Sequence, residues 1–551
     1  MTKSSTTTQI FFILEITFFK NNIYLCLKQM QLKMETRRYP VDTQTFSTII
    51  DGKRVYIDKT NLVYKMAKEY RYVFLSRPRR FGKSLLCSTL EEYFCGNKDL
   101  FRGLKIDSLE KEWTKYPVIN LSFADAKDVS VESLNELIDE MLKDNEEKLG
   151  VEKSGKGNGV RLSNLIKNAY KKTGLKVVVI IDEYDAAMLD TIDNDQLQNR
   201  IRAAQNKFFS PLKKLDKFIR FVFITGITKF SQMSIFSALN NLQDISLLPE
   251  YETLCGISMD EFLTQLKPDI QNFADANKWT FEQTVAKFKQ KYDGYHFSFA
   301  KQEILNPFAV IKALNDRMLG NYWFQSATPS ALIKLIRKFD VEMFDFDNIE
   351  CDSTRFEQPV EQVTDLVPFL FQAGYLTIKD YDPEYDLYTL GYPNEEVKSS
   401  TAKVLNQYTY NYQNTAPIKK AFVDFSKDDD INKFIEHLKM FFDAFPCSLN
   451  NKKESEKHYH AILYTLLASV GADIAANVET ALGRADIILK MPKTIYVIEL
   501  KYNRSVQSAQ KQILLRRYDK AFVDDGRRIV KLAIKFSSKN RNIASYEAKE
   551  V

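Results

Sequence analysis

Residues 177–181 read Val-Val-Val-Ile-Ile, and the run ends in Asp182-Glu183-Tyr184-Asp185. Neighbouring side chains of a strand point to opposite faces, so an unbroken β-branched run must be covered on both. An antiparallel strand with one wet face would alternate. A membrane span would need roughly 20 apolar residues. The run therefore reads as an inner strand of a largely parallel sheet, with helices on both faces and acids where it surfaces.

The flanking sequence agrees. Short apolar runs at 72–76 (YVFLS), 116–123 (YPVINLSF) and 220–230 (RFVFITGITKF) read as further strands. KSLLCSTLEEYF and ESLNELIDEMLKDNEEKL carry apolar residues at helical spacing, and 153–159 is a polar, glycine-rich loop. Residues 38–250 are expected to form this α/β unit. From 251 to 440 helical patterns dominate, with a small β element near 373–392 and a possible helix start in FSKDDDINKF (425–434). From 445 to 551 a helix, three strand-like runs (DIAANVET, RADIILK, KTIYVIELK), a helix and a strand follow in the order αβββαβ.

Residues 1–37 are apolar but broken by Glu15, Lys20 and two asparagines. They fit neither a membrane span nor a signal peptide and read as a non-conforming leader, with Met34 the expected start. Six scattered cysteines without a C-x-x-C exclude a zinc cluster or disulfide framework and suit a reducing, cytoplasmic location. The two histidines at 458 and 460 lie on different helical faces and are not read as a metal pair. A net charge of +6 is too mild to argue for nucleic acid, but from Lys501 onward the chain is rich in Lys and Arg. Lys511, Arg516, Arg517, Lys520, Arg527, Arg528, Lys531 and Lys535 form either a solvated face or a polyanion-facing patch.

Gly82-Lys83-Ser84 ends the pattern of a phosphate-binding loop, but Arg77 stands where its first glycine belongs. The triplet follows an expected strand and opens an expected helix, where backbone N–H groups and the helix dipole favour an anion. Lys83 would pair with the β- and γ-phosphates, and Ser84 would ligate Mg2+. Asp182 would hold the same Mg2+, Glu183 would orient the attacking water, and Thr225 would sense the γ-phosphate. Arg77, Arg79 and Arg80 would add cations beside a polyphosphate. Arg200, Arg202 and Arg220 are candidates for an arginine finger. The alternative is a structural turn beside a strand capped by acids.

A second constellation lies in 483–503. Asp486 opens one strand, and Glu499 and Lys501, two apart, share a face near the end of the next. A hairpin would bring Asp486 beside Glu499. Two carboxylates that hold Mg2+, and a lysine beside them, are what phosphodiester hydrolysis needs. Glu456, on the preceding helix, is a further candidate ligand. Gln512, on the following helix, could touch the strand or DNA. The alternative is an ordinary surface Glu–Lys contact.

Both stretches resemble known families. YIDKT (56–60), RPRRFGKS (77–84), LFRGLKI (100–106), YPVINLSF, VVVIIDEYDAAM, FITGITKFSQMSIFSALNNL (223–242), KYDGYHF and LNPFAVIKAL resemble, in order, the AAA-ATPase-like proteins. The resemblance spans about residues 40 to 400, and RPRRFGKS is that family's own form of the loop. It implies a P-loop AAA-type domain that binds ATP, followed by a helical lid or linker, and allows a homo-oligomer. GRADIIL, YVIELK and AQKQI…Y resemble the PD-(D/E)XK nuclease superfamily, with Ala485 where its proline usually stands. This second resemblance implies a restriction-endonuclease-like domain with catalysis at Asp486, Glu499 and Lys501 and DNA as partner. The combined expectation is an ATP-hydrolysing protein coupled to a Mg2+-dependent DNA nuclease, with no membrane segment. The alternatives are an ATP-loaded regulatory or defence switch whose nuclease-like domain is silent, or a non-enzymatic DNA-binding protein.

Overall fold

The computed structural model describes residues 37–126, 130–229, 241–326, 330–339, 346–360, 365–408, 414–444, 455–480 and 483–551. The expected leader up to residue 36 lies outside them, as do Cys26, Cys447 and part of the 223–242 motif. Among the described residues no helix is long and apolar enough to cross a membrane.

The N-terminal sheet is parallel, as the β-branched run requires. Its strands are β1 (Tyr72–Ser76), β2 (Val118–Ser122), β3 (Val177–Asp182), β4 (Ile219–Gly226) and β5 (Gln243–Asp244), ordered β2-β3-β4-β1-β5. Every residue of β1 and β3 is buried. Register sets Ser76 level with Gly226, and Ser122 level with Asp182, so the strands end together on one edge.

The middle of the chain is mainly helical. A short ribbon, β6 (Ile257–Ser258) with β7 (Ile304–Leu305), ties together helices that bury Phe262, Phe273, Phe288 and Tyr292. The β element expected near 373–392 is present as β9 (Thr377–Asp382) and β10 (Leu387–Gly391). It gains a third strand, β8 (Ile349–Cys351), too short to show a sequence signal. The helix start expected in 425–434 is also present: Asp430 caps helix Ile431–Asp443 by accepting the N–H groups of Asn432 and Lys433.

The C-terminal sheet is mixed, ordered β11 (Asp473–Thr480), β12 (Gly483–Lys490), β13 (Thr494–Tyr502), β14 (Arg528–Ser537), β15 (Asn542–Glu550). Strands β13 and β14 pair in parallel and the others antiparallel. Strand β15 was not expected. Its SYEAKE end is polar because it covers an edge and leaves side chains in water. Helix Glu456–Ser469 packs on one face through Ile487, Leu489 and Leu500. Helix Val506–Arg516 packs on the other, with Ile513 against Ile488 and Val497.

Helix Glu395–Tyr408 joins the two halves. Its Asn406 donates to the Thr465 carbonyl, and Lys398 donates to Asp347 and to the Ile474 carbonyl. At its other end, buried Glu396 accepts the Trp323 N–H at 2.8 Å. Burial raises the Glu396 carboxyl to about 7, against the pull of the Phe324 and Trp323 N–H groups and Lys291. The folded protein therefore prefers the neutral acid. Its stabilising contribution is full below the ordinary value of 4.5 and is lost as pH rises through about 7. Glu396→Gln still accepts from Trp323 but cannot ionise. Its melting temperature is expected to gain on the wild type from about pH 5 to pH 8; a difference that stays flat with pH would refute this reading.

Candidate functional site

The loop from β1 into helix Lys83–Phe94 holds the first group of candidates. Left-handed backbone falls at Arg80 (φ 66°) and Gly82 (φ 93°), and residue 77 is not among the positive-φ positions. A glycine is demanded where φ is positive, so position 77 does not need one. A Cβ on Gly82 would meet no atom within 4 Å; its φ, not crowding, calls for glycine there.

Arg77 does not face outward with Arg79 and Arg80. Its guanidinium is buried, donating to the carbonyls of Ser76 (2.9 Å), Ser246 (2.7 Å) and Tyr251 (3.2 Å) and lying 4.2 Å from the Phe297 ring. Burial lowers it to about 10. The expectation of a third cation beside a polyphosphate is thus corrected: Arg77 binds the loop to the chain beyond β5. Arg79 and Arg80 are exposed, with Arg80 over the Phe308 ring at 4.8 Å.

Lys83 is buried and donates to the carbonyls of Arg77 (2.9 Å) and Pro78 (3.0 Å). Burial lowers its pKa, against the charges of Glu183, Asp182 and Asp185. Asp182 ends β3 beside it. Burial raises the Asp182 carboxyl, while a hydrogen bond with Ser84 and the Lys83 charge oppose that rise. Ser84, Lys83 and Asp182 therefore converge as expected, and Glu183 follows in left-handed backbone at φ 50°. Thr225 is fully buried, and its hydroxyl ties β4 to β1 by donating to the Leu75 carbonyl at 2.7 Å.

Asp185, which the sequence reading passed over, is heavily engaged. One oxygen accepts the N–H groups of Ile227 (3.0 Å) and Thr228 (2.7 Å) and the Thr228 hydroxyl (2.7 Å). The other is buried with no hydrogen-bond partner. Its place in DEYD was the available signal. Among the finger candidates, Arg200 lies near Glu132 on the surface, and Arg202 bonds Asn199. Arg220, near the start of β4, donates to the Ala67 carbonyl, away from the edge where the strands end.

The second group sits where β12 and β13 part. The antiparallel ladder runs to Ile487 opposite Ile498. The next positions are Asp486 and Glu499, and there the Asp486 carboxylate itself accepts the Leu500 N–H at 2.8 Å. Glu499 is fully buried, and its Oε2 has no hydrogen-bond partner. Burial and the neighbouring Asp486 push it up to about 7, and burial raises Asp486 too. Lys501 uses all three ammonium protons, on Glu499 (2.9 Å), Glu456 (3.1 Å) and the Leu500 carbonyl (2.8 Å). Burial would lower its pKa, but the two carboxylates hold it above the ordinary value. Leu500 points into the core, as strand alternation requires.

Glu456 is therefore at the site, with one oxygen on Lys501 and the other on the Tyr502 N–H. One turn along the same helix, His460 Nε2–H donates to the Asp486 carbonyl at 2.8 Å, an arrangement the sequence reading missed. Gln512 bonds the Tyr518 hydroxyl, whereas Gln510 enters the sheet and donates to the carbonyls of Lys531 and Glu547. The basic tail divides. Arg527 pairs with Asp525, Arg528 with Asp429, and Lys531 with Asp519, while Lys511, Arg516, Arg517 and Lys520 are exposed. Among the described residues no group of three or more His, Cys, Asp or Glu forms a ready metal cage. The two carboxylates Asp486 and Glu499 are the pair that suits one, because a hard cation would meet the unpartnered oxygen and relieve their repulsion.

Arg77→Gly restores the glycine of the common loop, yet it is expected to destabilise the fold by about 3 kcal/mol, since three buried carbonyls lose a charged donor. Urea unfolding measures this, and a variant as stable as the wild type would overturn the buried role.

Comparison with known proteins finds a family match over each of the two stretches that carry these groups. The family described as "Predicted AAA-ATPase" matches residues 40–236, and the PD-(D/E)XK nuclease superfamily matches residues 454–546. A relative from Azotobacter chroococcum mcd 1, described as "Uncharacterized protein in vnfD 5'region", is 30% identical over 532 residues, covering 93% of this chain and 99% of its own. The chain belongs to the family of predicted AAA-ATPase-like proteins that carry a C-terminal PD-(D/E)XK nuclease superfamily domain.

Proposed function

We propose that this protein binds and hydrolyses ATP at a P-loop site at the end of β1, and cuts DNA with Mg2+ at a restriction-endonuclease-like site between β12 and β13. The observation that carries the reading is the parting of those strands, which sets Asp486, Glu499 and Lys501 together with one buried carboxylate oxygen unpartnered. A fully satisfied structural ion pair would pair both carboxylate oxygens.

At the nuclease site Asp486 and Glu499 would hold the metal, with Glu456 at its edge. Bound there, Mg2+ would supply an activated water and stabilise charge on the leaving oxygen. Lys501, held between Glu499 and Glu456, keeps a protonated ammonium where phosphate charge grows. The exposed cations Lys511, Arg516 and Arg517 would meet the DNA backbone, with Gln512 on the same helix. At the nucleotide site Gly82, Lys83 and Ser84 would receive the phosphates, with Arg79 and Arg80 at the rim. Ser84 and Asp182 would hold a second Mg2+, and Glu183 would orient water. Thr225 would meet a γ-phosphate only by releasing the Leu75 carbonyl.

Coupling of the two sites is supported by a continuous set of bonds. The Trp323 indole N–H donates to the Arg79 carbonyl at 3.0 Å, and the Trp323 backbone N–H donates to Glu396. Glu396 begins the helix that packs on helix Glu456–Ser469, which carries Glu456 and His460 to the nuclease site. A shift of the phosphate loop would therefore pull on that helix.

Cleavage of plasmid and single-stranded DNA in Mg2+ or Mn2+, with and without ATP, tests the reading. Glu499→Ala and Lys501→Ala are each expected to lower cleavage roughly a hundredfold or more. Lys83→Ala is expected to abolish nucleotide binding and any ATP effect. Full cleavage by Glu499→Ala would sink the nuclease assignment. Nucleotide binding without cleavage in any condition would favour the switch with a silent nucleic-acid-binding domain. Trp323→Phe keeps the ring against Tyr375 but deletes the bond to Arg79. It is expected to leave basal cleavage intact and to reduce the ATP effect several-fold; an undiminished ATP effect would remove this route.

A further inference from the structure

Helix Val506–Arg516 spends one face on the C-terminal sheet, where Val506, Ala509, Gln510 and Ile513 are buried. Its outer face should then be polar, and in the last turn it is not. Leu514 and Leu515 are 56% and 65% exposed. The helix ends at Arg516, and Arg517 turns the chain away in left-handed backbone at φ 49°. A single leucine at a surface needs no explanation. Two adjacent ones do here, because their surroundings are strongly cationic: Lys511, Arg516, Arg517 and Lys520 are all exposed. Asp519, the acid of this stretch, is buried and pairs with Lys531. Lys511 precedes the leucines by three and four residues, so it shares their side of the helix.

The patch lies close to the carboxylates. A Cβ on Gly483 would come within 3.0 Å of the Arg516 side chain. Gly483 opens β12, and Asp486 follows on the same strand. The span between them is about 10 Å, close to that of three base-pair steps.

Charge selects the occupant. A second copy of the chain docking through this face would set the same cations against one another. A membrane surface calls for a whole apolar helix face, and here the rest of that face is spent on the sheet. Single-stranded bases want an aromatic platform, but Tyr518 is buried and Phe522 half-buried. Duplex DNA fits both parts. Its phosphates answer the cations, and leucine is among the side chains that enter a base step and unstack it.

We propose that Leu514 and Leu515 form an apolar wedge that enters a weakened base step of duplex DNA while the flanking cations hold its phosphates, so that the nuclease site acts on mispaired or easily kinked duplexes. Unstacking costs least where pairing is already lost, and that difference would set the preference. The proposal rests on the DNA reading given above and adds to it the class of substrate.

The test is binding by the full-length protein in EDTA, where no strand is cut, to a fully paired duplex and to the same duplex with one mismatch. The mismatched duplex is expected to bind about tenfold more tightly. Leu514→Ser combined with Leu515→Ser is expected to erase that preference, to change fully paired binding by no more than about threefold, and to keep the melting temperature of the wild type. A fluorescent purine analogue beside the mismatch should brighten on binding the wild type and stay dark with the leucine variant. Lys511→Ala combined with Arg517→Ala should weaken both duplexes alike and flatten the salt dependence. In Mg2+, cuts should fall within about three base pairs of the mismatch. Equal binding of the two duplexes by the wild type would overturn the wedge and leave the DNA reading standing. So would a leucine variant that keeps the preference and the brightening, or weakens both duplexes equally. If the leucines instead hold a dimer in sedimentation, or hold the chain on phosphatidylserine vesicles, with duplex preference unchanged by their loss, they serve that partner and the proposal falls. If no duplex is bound and none is cut, the DNA reading falls and this proposal falls with it.

Discussion

The N-terminal half depends on the burial of β3 on both faces. Once Val177 to Ile181 are covered by helices and flanked by β2 and β4, the chain meets solvent again only where the strand ends. Its acids are held there at a fixed level relative to Ser76 and Gly226. The phosphate-loop candidate, the acids and the end of β4 are brought to one edge by register alone. Asp185 then fixes the exit of β4 through three donors, so the segment after Gly226 is set by the same strand.

The C-terminal site is made by an interruption. A hairpin that stayed paired would spend Asp486 and Glu499 as ordinary cross-strand neighbours. Instead the ladder stops at Ile487 and Ile498, and the Asp486 carboxylate takes the amide that pairing would have used. Glu499 is left in a dry place with an unpartnered oxygen, and Lys501 is fixed by three acceptors. Two carboxylates raised by burial, Glu499 also by the charge of Asp486, are costly to hold ionised without a cation. That cost makes the pair a poor purely structural contact.

Between the sites, the helical connector is more than a tether. A flexible linker would carry few hydrogen bonds across its ends, whereas helix Glu395–Tyr408 is bonded to Trp323 on one side and to Ile474 and Thr465 on the other. Its buried, neutral-leaning Glu396 accepts from Trp323, whose indole N–H donates to the Arg79 carbonyl. Both bonds use the same tryptophan.

The strands that carry the site residues, the helix after Gly82, the α/β class and the pairing of Asp486 with Glu499 were legible because each rests on local periodicity or spacing. Positions of Lys83, Ser84 and Asp182 could be read for the same reason: they occupy the ends of regular elements. Arg77 could not, since nothing local tells a side chain to turn inward toward the carbonyls of Ser246 and Tyr251, far along the chain. Strand β15 was missed because an edge strand need not alternate. The pairing of exposed Arg528 and the burial of Lys531 within a basic tail depend on acids at Asp429 and Asp519 that the fold brings near. Sequence alone thus determined which elements form and which residues end them, because those follow from contacts within a few residues. Tertiary structure decided which cations are spent inside, where β12 leaves β13, and that one tryptophan bonds both Arg79 and Glu396, because those depend on partners beyond local reach in the chain or on register between strands.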